Sequence, residues 1–183
     1  MPITLLKELN QAKFLGEFGY SAPGICYYIC EYVEEKIWAK PGVSSLKDAV
    51  EAAKNVTPAT IIKASKAKSL AQKRGKQHGT PQSFYPSLNT PLKTNSLYRI
   101  GLWFDKATNA APPDATKNNH EAIVITGTGS DIVFLEPNFG FYQGQGNVTF
   151  PTNKDVLEGE IKNLYTADNY FATNFTYSLV RSL

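Results

Sequence analysis

The stretch HEAIVITGTGSDIVFLEPNFG, His120 to Gly140, decides how the second half of the chain is built. Glu121 to Thr126 and Ile132 to Leu135 are short runs rich in β-branched and apolar residues. Between them, Gly127-Thr128-Gly129-Ser130 supplies the glycines of a tight reversal, so the stretch is expected to form an antiparallel hairpin. His120 opens the first strand beside a polar loop (Lys117-Asn118-Asn119), and Glu136-Pro137-Asn138-Phe139-Gly140 closes the second. If Gly127 to Gly129 stay unpaired, residue numbers across the ladder sum to 256 and Glu136 lies opposite His120. With a four-residue loop the sum is 257, and Glu136 and Asn138 flank the opposite position. Directly opposed β-carbons are about 4.5–5.5 Å apart, so an imidazole can meet a carboxylate or an amide there.

Outward from this hairpin, Leu97 to Phe104 reads as a strand, Thr152 to Tyr165 as a helix and Phe175 to Val180 as a closing strand. Two proline-bearing stretches, Gly79 to Asn95 and Asp105 to Asn119, read as loops. The N-terminal half has helical spacing instead. Ile25 to Trp38 repeats its apolar residues with a helical period and ends at Pro41-Gly42, and Ser44 or Ser45 caps a third helix running to about Lys54. Thr4 to Phe14 also reads as a short amphipathic helix. The expectation is an α+β fold, N-terminal helices packed on a C-terminal antiparallel sheet, in one domain spanning residues 1–183.

Size and composition agree. The 183 residues (20.2 kDa) are 42% hydrophobic and 12% aromatic, enough for a core that needs no staple and too apolar for a disordered chain. Two cysteines exclude a disulfide scaffold and a cysteine-rich zinc cage, and no cofactor or metal is expected. No apolar run approaches the roughly 20 residues of a membrane span. Lys7, Glu8 and Lys13 interrupt the first apolar residues, so a signal peptide is not expected there.

The net charge of +3 hides an uneven distribution: from Ala52 to Phe104 there are nine Lys or Arg and no Asp or Glu. Within this block, Thr57 as N-cap and Pro58 at the first helical position open a helix reaching about Gln77. Ile61, Ile62, Ala64, Ser65 and Leu70 would form its buried stripe. Lys63, Lys66, Lys68, Lys73, Arg74 and Lys76 would lie along or beside the other face. That face is either plainly solvated or drawn to an anionic surface, acidic lipid headgroups before nucleic acid, since no nucleic-acid module or interleaved aromatics accompany it.

Chemistry concentrates at three places. Cys26, after Pro23-Gly24-Ile25, falls in the first turn of a helix, where the partial positive charge of the helix end favours a thiolate. Gly24 lets a substrate backbone approach. Cys30, one turn later, reads as a core residue, and the pair is poorly spaced for a disulfide. His120 stands where a scaffold presents a side chain to a cleft, whereas His78 reads as a surface residue. With Glu136 or Asn138 orienting the His120 ring, the three places form one nucleophile–base–acid site.

Gly24-Ile25-Cys26 opening a helix, then His120-Glu121-Ala122, then Glu136-Pro137-Asn138-Phe139-Gly140 resembles the YopT/AvrPphB family of bacterial effector cysteine proteases. Those are papain-like folds with a Cys-His-Asp triad and a third motif Asp-Pro-Asn-x-Gly. The resemblance runs from about Ser21 to the C-terminus. It implies Cys26 as nucleophile, His120 as general base, and Glu136 in the place of the family aspartate, with Asn138 as the other candidate. Papain-like enzymes usually carry a Gln or Asn shortly before the cysteine for the oxyanion hole; here positions 20 and 21 are Tyr and Ser. The Cys26 backbone N–H with Ser21, Asn10 or Gln11 would serve instead.

The resulting expectation is a cysteine protease of the secreted virulence-effector or toxin type. It would leave its own cell by a Sec-independent route and cut a protein in the cytoplasm of a host or rival cell; otherwise it is cytoplasmic. The alternatives are a papain-like deamidase or transglutaminase, a peptidoglycan amidase toxin, and a catalytically inactive binding module using the basic helix.

Overall fold

The computed structural model describes residues 3–17, 25–75, 85–106, 120–166 and 170–183. Strand β1 (Thr4–Glu8) leads into α1 (Gln11–Glu17), and α2 (Cys26–Tyr32) continues directly into a π-helical turn, Val33–Ile37. Helices α3 (Leu46–Lys54) and α4 (Pro58–Gly75) follow. Then come β2 (Ser96–Lys106), β3 (His120–Thr126), β4 (Ile132–Glu136), β5 (Gly140–Gly144), α5 (Asn153–Tyr165) and β6 (Tyr170–Ser182). The six strands form one antiparallel sheet in the order β1-β5-β4-β3-β2-β6. The chain is therefore α+β, with the sheet contributed largely by its second half.

Both faces of the sheet are covered. Leu97, Ile123, Ile125, Val133, Leu135 and Phe141 point to one side, where they meet Ile29, Val33, Trp38, Ala49, Ile61 and Ile62 of the helical half. Ile100, Leu102, Val124, Phe134 and Tyr142 point to the other, against Val156, Leu157 and Ile161 of α5. Every residue of β3 and β4 is buried. That is why these strands read as near-continuous apolar runs, although period-two alternation still sorts them between two cores.

Local signals set the helix ends. The Ser45 hydroxyl accepts from the Asp48 N–H, and Thr152 and Asp155 form a reciprocal capping box at the start of α5.

The N-terminus departs from expectation. Residues 4–14 are not one helix: Thr4–Glu8 is an edge strand on β5, and α1 begins only at Gln11. The Asn10 Oδ1 accepts from the Lys13 N–H at 2.9 Å, an N-cap in the middle of the expected helix. Pairing with β5 outweighs the helical spacing of a five-residue segment, because a short isolated helix is marginal whereas an added strand gains a whole ladder. Gly140 permits this closeness. Its φ is +140°, and a side chain there would meet the Lys7 carbonyl oxygen at 2.3 Å.

The hairpin also has a different register. Ile123 faces Leu135 and Thr126 faces Ile132, so paired numbers sum to 258, not 256 or 257. The connection is five residues long and closes with Gly127 N–H donating to the Asp131 carbonyl at 2.8 Å, with Gly129 at φ +65°. Continuing the count, Glu136 falls opposite Ala122, one diagonal step from His120 on the same face of the sheet.

Candidate active site

Cys26 is the first residue of α2 and partly exposed. The residue before it, Ile25, has no side-chain cap of its own; its N–H donates instead to Gln11 Oε1 at 2.9 Å. A buried glutamine from α1 therefore holds the start of the helix that carries the thiol. Cys30, one turn on, is fully buried in the core, and burial pushes its thiol well above the usual range. Both cysteines are free.

His120, at the first position of β3, is buried, and its ring is hydrogen-bonded to the Cys26 side chain on one side and to Glu136 on the other. Glu136 Oε1 meets Nε2 of the ring. The diagonal register explains why a glutamate works here. From a directly opposed position an aspartate would suffice; one diagonal step away, the extra methylene brings the carboxylate to the ring.

Glu136 is completely buried and held on both oxygens. Oε2 accepts the Asn138 N–H at 2.7 Å, and Oε1 accepts the Tyr165 hydroxyl at 2.8 Å. Asn138 is not on His120. Its Nδ2 donates to the Tyr165 oxygen at 2.7 Å, and its Oδ1 accepts from Gln11 Nε2 at 2.7 Å. The Tyr165 ring stands edge-on to His120, with centroids 6.4 Å apart, and edge-on to Phe139 at 4.9 Å.

Electrostatics fix the charge state. Burial alone would strip the proton from His120, but the facing Glu136 carboxylate, and after it Cys26, outweigh burial and raise its pKa to about 10. The imidazolium therefore persists through neutral pH. Tyr165 is pushed far up, by burial and then by Glu136, so its phenol stays a donor.

A stability prediction follows from His120. The folded pKa of about 10 lies above the unfolded 6.5. The pair's contribution is thus complete below about pH 6.5 and lost as pH rises through 10. The melting temperature of the protein should fall between pH 7 and 10, and His120→Gln should flatten that decline; parallel curves for the two proteins would contradict it.

The far side of β3 carries a second ionic cluster. Glu121 points to the opposite face from His120 and pairs with Arg99 at 3.0 Å, and Arg99 also meets Glu34 at 3.1 Å and the Tyr27 carbonyl at 3.2 Å. Its guanidinium lies over the Tyr27 ring, 5.0 Å from the centroid. The residue after His120 is thereby tied to the residue after Cys26.

Of the oxyanion candidates, Gln11, the first residue of α1, holds the Ile25 N–H and gives its amide N–H to Asn138, Asn10 spends its side-chain oxygen capping α1, and Ser21 lies outside the described residues. Tyr165 was not expected from sequence. It ends α5, 27 residues beyond Asn138, and no spacing rule points from one to the other. Among the described residues, no group of three or more His, Cys, Asp and Glu side chains could hold a metal ion.

The basic helix is less exposed than its sequence suggests. Lys66 is buried, and Lys68 is paired with Glu31 at 3.0 Å and Glu35 at 3.4 Å. Lys63 is exposed; the side chains of Lys73 and Arg74, and all of Lys76 and His78, lie outside the described residues. Leu70 is exposed and Ser69 takes its place in the buried stripe, because α4 packs closely on α2 through small residues, with the Ser65 hydroxyl donating to the Tyr28 carbonyl at 3.2 Å. A continuous cationic face for lipid headgroups is thus broken at Lys66 and Lys68. No helix among the described residues is long and apolar enough to cross a membrane.

Compared with known proteins, the chain matches no protein-family model, no curated protein and no solved structure.

Proposed function

We propose that the chain is a papain-like thiol protease in which Cys26 is the nucleophile, His120 the general base and acid, and Glu136 the third member of the triad. The observation that carries this reading is His120 itself, hydrogen-bonded to a partly exposed thiol on one side and to a buried carboxylate on the other. A structural histidine has no need of that pairing.

In the reaction, the Cys26 thiolate attacks the carbonyl carbon of a peptide bond, and the charge moves to the carbonyl oxygen, where the Cys26 backbone N–H can receive it. As the tetrahedral adduct collapses, the His120 imidazolium gives its proton to the leaving amine, and the acyl group remains on sulfur. A water then loses a proton to His120 and attacks the thioester; collapse releases the carboxylic acid, and the thiolate–imidazolium pair is restored. Glu136 keeps the ring oriented and stabilises its charge throughout. The substrate class is protein, and delivery into a host or rival cell is part of the proposal through the resemblance to secreted effectors.

The test is the rate of iodoacetamide labelling at Cys26 as a function of pH, read by peptide mass, in wild type and His120→Ala. Labelling that is already fast near pH 6–7 in wild type and becomes slow in the variant is the expected result; a free thiol has a pKa near 8.5 and reacts slowly there. Equal, slow labelling in both would sink the proposal. With reactivity in hand, new N-termini in a protein substrate identify proteolysis, whereas ammonia release would redirect the same acyl transfer to deamidation.

A further inference from the structure

We propose that Gln11 and Tyr165 are positioning residues of the thiol site, acting through one polarised chain of hydrogen bonds that starts beside the nucleophile and ends on the triad carboxylate; the inference rests on the reading of Cys26, His120 and Glu136 given above.

Four bonds make the chain. The Ile25 N–H donates to Gln11 Oε1 at 2.9 Å, and Gln11 Nε2 donates to Asn138 Oδ1 at 2.7 Å. Asn138 Nδ2 donates to the Tyr165 oxygen at 2.7 Å, and the Tyr165 hydroxyl donates to Glu136 Oε1 at 2.8 Å. All four run in the same sense. Their direction is forced from both ends, since a backbone N–H can only donate and an ionised carboxylate can only accept. With the ends fixed, each amide between them has one workable orientation. Bonds aligned in this way polarise one another, so the chain acts as a unit.

Its placement gives it consequence. The first donor belongs to the residue before Cys26, and the last acceptor is the oxygen that faces His120 Nε2. Together with the Cys26–His120 hydrogen bond the chain closes a ring, joining α1, α2, the turn between β4 and β5, α5 and β3. Gln11 is 4% exposed, Tyr165 6% and Glu136 0%, while Asn138 between them is half-buried, so at both ends of the chain water has little access to replace a lost link. The Asn138 N–H on Glu136 Oε2 holds the other carboxylate oxygen, which leaves Tyr165 to set the one that matters to the ring.

Tyr165→Phe removes one hydroxyl and keeps the ring packing on His120 and Phe139. Gln11→Met removes both amide functions at similar volume and touches neither Tyr165 nor His120 in the hydrogen-bond pattern. Two readouts separate the network from the chemistry. The first is the His120 Nε2 signal in protein labelled with ¹⁵N-histidine; the second is the Cys26 alkylation rate at pH 7. Each single variant should move the His120 signal and slow alkylation about tenfold, the lower end of what orienting partners contribute. The double variant should be no slower than the slower single one, because one break already disables the chain.

An unmoved His120 signal in both singles, or losses that multiply in the double variant, would overturn the proposal. Should Gln11→Met not fold, Gln11→Glu, which keeps the acceptor for Ile25 and deletes the donor to Asn138, takes its place in the same cycle. If wild-type Cys26 labels no faster than in His120→Ala, it is the thiol-enzyme reading that fails, and the His120 signal still decides the network by itself.

Discussion

Cys26→Ala should abolish peptide hydrolysis while leaving the fold unchanged. The expected loss in kcat is about 10⁴–10⁶-fold, the range in which a missing nucleophile leaves only binding and oxyanion stabilisation. Cys26 is partly exposed and lies outside the main core, so the removed sulfur opens no sealed cavity, unlike a change at fully buried Cys30. The measurement is turnover of a protein substrate alongside thermal melting. Retained turnover would refute the nucleophile assignment. Cys30→Ala provides the contrast: it should cost stability and leave kcat within about threefold of wild type, since surrounding packing relaxes only partly around a small cavity.

Glu136→Gln should be nearly as damaging, with about 10³–10⁴-fold lost from kcat/KM at neutral pH. The substitution preserves shape, but it removes the charge that keeps His120 protonated against its burial. It also places an amide nitrogen among groups arranged to donate to two carboxylate oxygens. Asn138→Ala should cost only about tenfold, because Asn138 touches Tyr165 and Gln11 and reaches the carboxylate through its backbone N–H, which the alanine keeps. The comparison is decisive between the two candidates. A larger loss from Asn138→Ala than from Glu136→Gln would transfer the third role to the asparagine.

The elements legible in the sequence are those whose signals are local. Ser44 or Ser45 and Pro58 mark helix starts that α3 and α4 adopt, Thr152 marks the start of α5, and the glycines of residues 127–130 mark the hairpin. The juxtaposition of His120 and Glu136 was legible for the same reason, since two strands joined by a short turn have few registers to choose among. The register itself was not. Whether three, four or five residues stay unpaired depends on the Gly127–Asp131 closure and on which side chains fill the two cores, and a shift of one residue would have exchanged those cores.

β1 is not legible for a related reason: its five residues carry no decisive local preference, and their partner, β5, lies more than 130 positions away. The basic helix shows the converse limit. Composition gave the charges, but the acidic residues that pair with Lys68 come from α2 and its π-turn, which only packing brings alongside.

The sequence by itself determined the α+β division, the hairpin, and a cysteine, a histidine and an acid in an order that one fold can bring together. Periodicity, capping residues and turn glycines act over a few positions, and for those the chain carries its own instructions. Tertiary structure decided that Glu136 and not Asn138 meets His120, that β1 completes the sheet, and that Gln11 and Tyr165 close the ring around the site. Those contacts join residues from 14 to more than 130 positions apart, and a hydrogen bond across such a separation exists only after hydrophobic packing has met the entropy cost of bringing its ends together.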